Sequence, residues 1–409
     1  MKALKLRITV FFYLAGIVVI HLVVLWNLRQ MIARGYPDFT IYYGAGMMVR
    51  HGQGRKLYSE PAQLEVQREF SPEVASRIGA VPYNHPPFEA TIFAPLTYFS
   101  YSVAFVAWDL LNLAMIAALP FLLRPHLLLS LEAVPWPLWA GAGLVFFPIF
   151  FALLEGQDSI LLLFLYTLGF VRLVKGKDIA GGAWLALGLF KPQLVVPFIV
   201  CMFLYGRRKI LYGFLPVAAI LAVISTAIVG WDGLKFYPHY VMQTEGTLAR
   251  SVIVPSNMPN LRGVLYLLAG SGKRVDVSVI TLSLGIFLFS AWKGRRTGNT
   301  EMFVWQFALA LVATVIVSYH CLAYDLSILF LPILLLVHEE RSLRGLRSWP
   351  DWVTIFALAV LLFSPPQLLL LLRFNCLALL GWPLLLWMIG IAAQISTLAR
   401  RGGLSHSPS

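Results

Sequence analysis

Long apolar runs alternate along the chain with short, mostly basic breaks, and the run lengths decide the first reading. Segments 8–28, 101–123, 138–154, 160–174, 179–190, 192–205, 210–230, 275–292, 302–318, 322–337, 352–372 and 374–398 are each dominated by apolar residues. About 20 such residues at 1.5 Å rise each cross a bilayer, so the pattern predicts about twelve helical membrane segments. Segment 8–28 is long enough to span and no small-x-small cleavage site follows it, so it reads as a retained span. Segments 179–190 and 192–205 are short for a crossing. Read as a hairpin with Lys191 at its apex, they put Arg172, Lys175 and Lys177 on the same side as Arg207, Arg208 and Lys209. The later clusters at Lys293 to Arg296, Arg341 to Arg347 and Arg400 to Arg401 then fall on that side too, as the positive-inside rule requires; one kinked helix would reverse them.

The expected organisation is therefore a single all-α membrane unit over 1–398, with both termini cytoplasmic and 399–409 a disordered tail. Two stretches outside the membrane are long enough to hold a site: 29–100 after the first span and 231–274 after the seventh. In the first, SEPAQLEVQREF spaces Ala62, Val66 and Phe70 four residues apart, the pattern of a helix lying on the bilayer surface.

Composition narrows the function. Of 409 residues, 59% are hydrophobic and 12% charged, well below the ~25% charged of a soluble domain. A soluble fold is excluded. A net charge of +13 would raise nucleic acid as a partner of a soluble protein, but here the cations are topology signals and no nucleic-acid partner is expected. Cys201, Cys321 and Cys376 show no CxxC spacing, which indicates neither a disulfide framework nor a structural zinc. The chain has no GxxxxGK[ST] loop, no HExxH and no Asp-x-Asp, so no metal ligand set is assigned and no cofactor is required.

Candidate chemistry clusters on the predicted outer side. Asp38, in GYPDFTIYYGAG, suits the N-cap of a helix starting at Phe39 and ending at His51-Gly52, and it equally suits a general base at the membrane surface. In YNHPPFEATIFAPL, Pro86-Pro87 either breaks the chain before an apolar segment or forms a rigid rim. In the turn Glu155-Gly156-Gln157-Asp158, Asp158 suits a helix cap and Gln157 a sugar hydroxyl. Lys191, in GLFKPQ, reads either as a snorkelling lysine or as a phosphate ligand at the outer interface. Arg262, with Asn260 in NMPNLRG, presents a guanidinium at the same face, either as a plain interfacial arginine or bidentate to phosphate. In SYHCLAYDLSILFLP, His320 and Tyr324 are four apart on an expected helix, and Asp325 inside an apolar run needs a partner or a wet cavity.

Taken in order, PDFTIYYGAG, GQGRKLY, YNHPPFEATIFAPL, EGQDSILLLFLYTLGF, AGGAWLALGLFKPQLVVPF, NMPNLRG and SYHCLAYDLSILFLP resemble glycosyltransferase family 87, the polyprenol-phosphate-mannose-dependent mannosyltransferases and their bacterial relatives. The resemblance runs from Asp38 to about Pro332. It implies a GT-C type membrane bundle in a bacterial plasma membrane, a polyprenyl-phosphate sugar donor carrying mannose or a related hexose or pentose, and inversion at the anomeric carbon. It also implies Asp38 as the base on the external face and His320 near a sugar. Alongside His320, the residues Tyr42, His85, Gln157, Asn260, Tyr324 and Asp325 are placed with the sugar or acceptor, and Lys191 and Arg262 with the donor phosphate. The expected partners are membrane lipid, the lipid-linked donor and a glycan or glycolipid acceptor. Phosphate is already a good leaving group, so a metal is not chemically demanded. A lipid-linked sugar transporter or flippase and a non-catalytic subunit of an envelope glycan assembly complex remain the alternatives.

Overall fold

The computed structural model of the protein describes residues 2–126, 136–246, 254–295, 300–342 and 349–404. Among the described residues every regular element is helical. Five helices are long and apolar enough to cross a membrane: Phe11–Ala33, Tyr101–Leu123, Ile210–Thr244, Lys273–Gly294 and Leu377–Arg400. A sixth arises if Trp349–Leu362 and Ser364–Phe374, bent by 58°, form one span. Four further apolar helices are shorter: Ser159–Val174, Pro192–Leu204, Met302–Val317 and Ala323–Leu336. Counting every one of these gives ten, so the expected twelve-span bundle is not reached by length and composition among the described residues.

Local chemistry explains where helices run on or break. The first continues to Ala33, five residues past the expected end at Leu28. Segment 138–154 is two helices, Trp136–Val145 and Phe147–Glu155, with Phe146 extended between them. Pro148 has no N–H to give the Leu144 carbonyl four residues back; that carbonyl instead faces His21 Nδ1 at 3.0 Å, while His21 Nε2 meets Ser364 Oγ at 3.0 Å. Segments 179–190 and 192–205 appear as Asp178–Ala186 and Pro192–Leu204, interrupted just before Pro192. The seventh run does not end in a loop at Gly230. The chain turns there, at φ 75° and ψ 172°, and continues as helix to Gly246. Likewise the C-terminal helix Gly381–Leu404 takes in the first residues of the expected disordered tail, and 405–409 lie outside the described residues.

Stretch 29–100 is a folded layer rather than an open loop. Phe39–Arg50 begins and ends where the capping pattern predicts. It packs with Glu60–Phe70, Ala90–Phe93 and the turn Ala94–Tyr98 at the N-terminal end of Tyr101–Leu123. Phe39 touches Phe93, Tyr101 and Phe105 with ring centroids 5.4 to 6.1 Å apart, a range in which tilted and edge-on pairs add to burial. Gly46 allows the close approach: a Cβ there would lie 2.9 Å from Ala94 N. This layer corrects the bilayer-surface reading of SEPAQLEVQREF, because Ala62 and Val66 are buried in its core and not turned to lipid. The larger core centres on Thr300–Val317, which packs against Gly381–Leu404, Lys273–Gly294 and Pro192–Leu204.

Candidate active site

The site forms where the 29–100 layer meets the turn after Phe147–Glu155 and the start of Pro192–Leu204. Its pivot is Gly156, in the left-handed region at φ 61° just after the Phe147–Glu155 helix. A side chain there would be strained and would press to 2.8 Å on Phe39 Cβ and the Phe105 ring. The close contact holds the Glu155 to Ser159 turn against Asp38. Gln157 Nε2 donates to Asp38 Oδ2 (2.7 Å), and the Asp38 amide donates to Glu155 Oε2 (3.1 Å). Gln157 Oε1 accepts from the Tyr42 hydroxyl (2.7 Å) and from Lys191 Nζ (3.4 Å).

Lys191 is the second centre. Its ammonium lies 2.8 Å from Asp158 Oδ1 and 2.5 Å from Asp325 Oδ1, donates to Ser159 Oγ (2.8 Å), and sits 4.9 Å from the Tyr324 ring centre. Asp325 Oδ2 accepts from Leu322 N (2.9 Å), closing the turn that begins at Ala323. The interfacial, snorkelling picture of Lys191 is therefore corrected: the side chain is 3% exposed and its charge answers two buried carboxylates. The capping roles are corrected in the same way. Asp38 and Asp158 occupy N-cap positions, but neither side chain bonds its own helix; one meets Gln157 and the other Lys191.

A cavity of about 570 Å³ opens beside this network. Six of the ten residues singled out in the sequence line it: His85, Lys191, Arg262, His320, Tyr324 and Asp325. His320 reaches it from a bend rather than from a helix, because the Thr300–Val317 helix stops before Ser318. Tyr324 and Asp325 follow on a 3₁₀ turn. Arg262 is 6% exposed, donates to the Tyr319 carbonyl (3.1 Å) and lies 3.8 Å from the centre of the Tyr319 ring. The other four stand behind the wall. Asp38 is half-buried and is connected to the cavity wall through Gln157, which also accepts from Lys191. Tyr42 and Gln157 are buried, with their polar atoms engaged by protein. Asn260 is a helix cap, accepting from Gly263 N (3.0 Å) and donating to Ser318 O (2.7 Å).

Crowding of carboxyls in a dry region sets their proton affinities. Burial raises Asp38 above the ordinary range, against hydrogen bonds from Gln157 and Tyr324 that lower it. Glu155 is pushed up to about 8 by burial and by the neighbouring Asp38 charge. Glu89 is raised well above its usual value by burial and by Asp158. Asp158 is the exception: burial would raise it, yet Lys191 holds it low. His85 falls to about 4 through burial and is neutral at physiological pH. Glu89 and Glu155 were not assigned from sequence. The signal available for Glu89 was an acid set between Phe88 and Ala90 in a run too apolar to solvate it. His85, Glu89 and Asp158 also bring a nitrogen and two carboxylate oxygens within 4.8 Å of one another, the makings of a cation site.

The sequence model of Glycosyltransferase family 87 matches residues 83–318. The chain belongs to glycosyltransferase family 87. Neither a curated protein nor a solved structure matches it significantly. Membership makes the chain a glycosyltransferase, and its long apolar helices make it a membrane protein. The family match contains His85, Gln157, Asp158, Lys191 and Arg262; it begins after Asp38 and ends before His320, so the placement of those two beside the cavity rests on geometry alone.

Proposed function

We propose that this family 87 protein transfers a sugar, mannose or a related hexose or pentose, from a polyprenyl-phosphate donor to a hydroxyl of a glycan or glycolipid, with inversion, at the external face of a bacterial plasma membrane. The supporting observation is Gln157, which donates to Asp38 and accepts from Lys191 on the cavity wall, so the candidate base stands directly behind the wall that a hydroxyl in the cavity would face. Asp38 accepts the acceptor proton as the oxygen attacks the anomeric carbon. Arg262 on the cavity wall meets the departing phosphate, whose negative charge grows as the glycosidic bond breaks. Lys191 assists from behind its two carboxylates. His320 and Asp325 stand beside the sugar.

The test is transfer of labelled sugar from a polyprenyl-phosphate donor at fixed mole fraction in nanodiscs, with an envelope glycolipid extract as acceptor. Label that stays on the donor while a nucleotide sugar is consumed instead would overturn the reading. Within that assay Arg262→Ala is expected to raise donor KM and lower kcat. The combined loss in kcat/KM should be about ten- to a hundred-fold, equivalent to losing a charge-assisted contact of about 1.5 to 3 kcal/mol. Kinetics equal to wild type would take Arg262 out of the phosphate role.

Glu155 has a pH signature. A base must be deprotonated, so activity falls as pH drops through the Asp38 titration. Burial and the Asp38 charge hold Glu155 up to about 8, so it is still protonated where Asp38 loses its proton. Glu155→Gln, which copies that neutral form, is therefore expected to leave the acid limb of the kcat/KM profile in place and to remove any change in rate near pH 8. An acid limb moved to lower pH would show that Glu155 is charged while Asp38 titrates.

A further inference from the structure

His85 and Glu89 lie on the entry to the short helix Ala90–Phe93, and Asp158 comes from the turn after Phe147–Glu155. Glu89 is 0% exposed and Asp158 1%. His85 Nδ1 stands 2.9 Å from Glu89 Oε2. Two ligands at right angles on one ion with ~2.1 Å bonds are separated by ~3.0 Å, so this is also the spacing of neighbouring metal ligands. Asp158 uses Oδ1 on Lys191. Its Oδ2 and Glu89 Oε1 accept no hydrogen bond, although both are sealed from solvent. The Glu89 and Asp158 carboxyls also bring an oxygen each within 4.8 Å of the other. Two such groups need something positive between them: either a shared proton or a cation.

We infer that His85, Glu89 and Asp158 hold a divalent metal ion, of the manganese or zinc kind, at the inner edge of the cavity. One imidazole nitrogen and two carboxylate oxygens are a donor set for such ions, and three protein ligands leave coordination positions open. His85 itself lines the cavity, so an open position on that side is available to an anionic oxygen. Lys191, on the opposite oxygen of Asp158, orients that ligand. No single sequence motif announces the set, because its third member is far from the other two along the chain.

The inference does not depend on the sugar-transfer reading, since metal uptake is measured without substrate. Full-length protein in detergent is stripped with chelator, reloaded with Mn²⁺ alone, and assayed by elemental analysis and by the electron paramagnetic resonance of free Mn²⁺. Wild type should retain about one ion per chain, while His85→Ala and Glu89→Gln should bind more than about tenfold more weakly. Saturating Mn²⁺ should raise the wild-type Tm and leave that of Glu89→Gln unchanged. His85→Asn serves if the alanine variant does not fold. Absence of Mn²⁺ retention by wild type would overturn the inference. So would equal retention by the variants. A protonated-carboxyl infrared band that vanishes in Glu89→Gln, with no ion bound to wild type, would identify the shared proton instead.

Discussion

Asp38→Asn should lower kcat for sugar transfer by about 10²- to 10⁴-fold, the contribution of a positioned general base, while leaving the fold intact. The asparagine oxygen can still accept from Gln157 Nε2, and the backbone amide that donates to Glu155 is untouched. No helix cap is lost, since the Asp38 side chain does not cap the Phe39–Arg50 helix. A charge that burial disfavours is removed as well, so thermal stability should match wild type or exceed it slightly. The measurement is single-turnover transfer by purified variant with donor and acceptor saturating. Turnover near wild type would exclude Asp38 as the base.

Lys191→Ala should act on the fold first. It strands Asp158 and Asp325, at 1% exposure each, without the ammonium that lies within 2.8 Å of both. Breaking a buried pair by deleting one partner costs about 3 to 5 kcal/mol, so the variant should show a large drop in Tm and poor recovery of monodisperse protein. Adding Asp325→Asn to Lys191→Ala should restore part of the loss, because one of the orphaned charges goes with it. A snorkelling lysine predicts a small effect from the single change and none from the second. A stability change within about 0.5 kcal/mol would mean that the triad contributes little.

Much of this site could be read in the sequence, and what could not has one physical cause. The pattern around Asp38 and His51-Gly52 bounds Phe39–Arg50 correctly although the Asp38 side chain makes no cap hydrogen bond; the stop is local chemistry, with Gly52 in the left-handed region at φ 70°. The apolar-run argument grouped Lys191, Arg262 and His320, and all three line one cavity. The identity of each partner was out of reach. Lys191 finds Asp325 across 134 positions, and Asp38 finds Gln157 across 119. Such pairings are decided by which helices pack together, and neither spacing nor propensity records them. For the same reason Gln157 and Asn260 looked like exposed sugar ligands but are internal connectors. His320 and Tyr324 looked like one helix face from their spacing of four alone, although the apolar runs 302–318 and 322–337 leave 319–321 between them, where the chain bends.

Tyr237, Val241 and Met242, which form one side of the cavity, all sit beyond Gly230 on a single rigid arm. At φ 75° and ψ 172° the joint is open to glycine and closed to nearly every residue with a Cβ. A Cβ at Gly230 would meet no atom within 4 Å, so the restriction is wholly one of backbone geometry and not of space. The aim of three cavity residues is thus encoded at a position that touches none of them. Sequence drift there would redirect the whole wall at once, while drift at any one of the three would alter only its own patch.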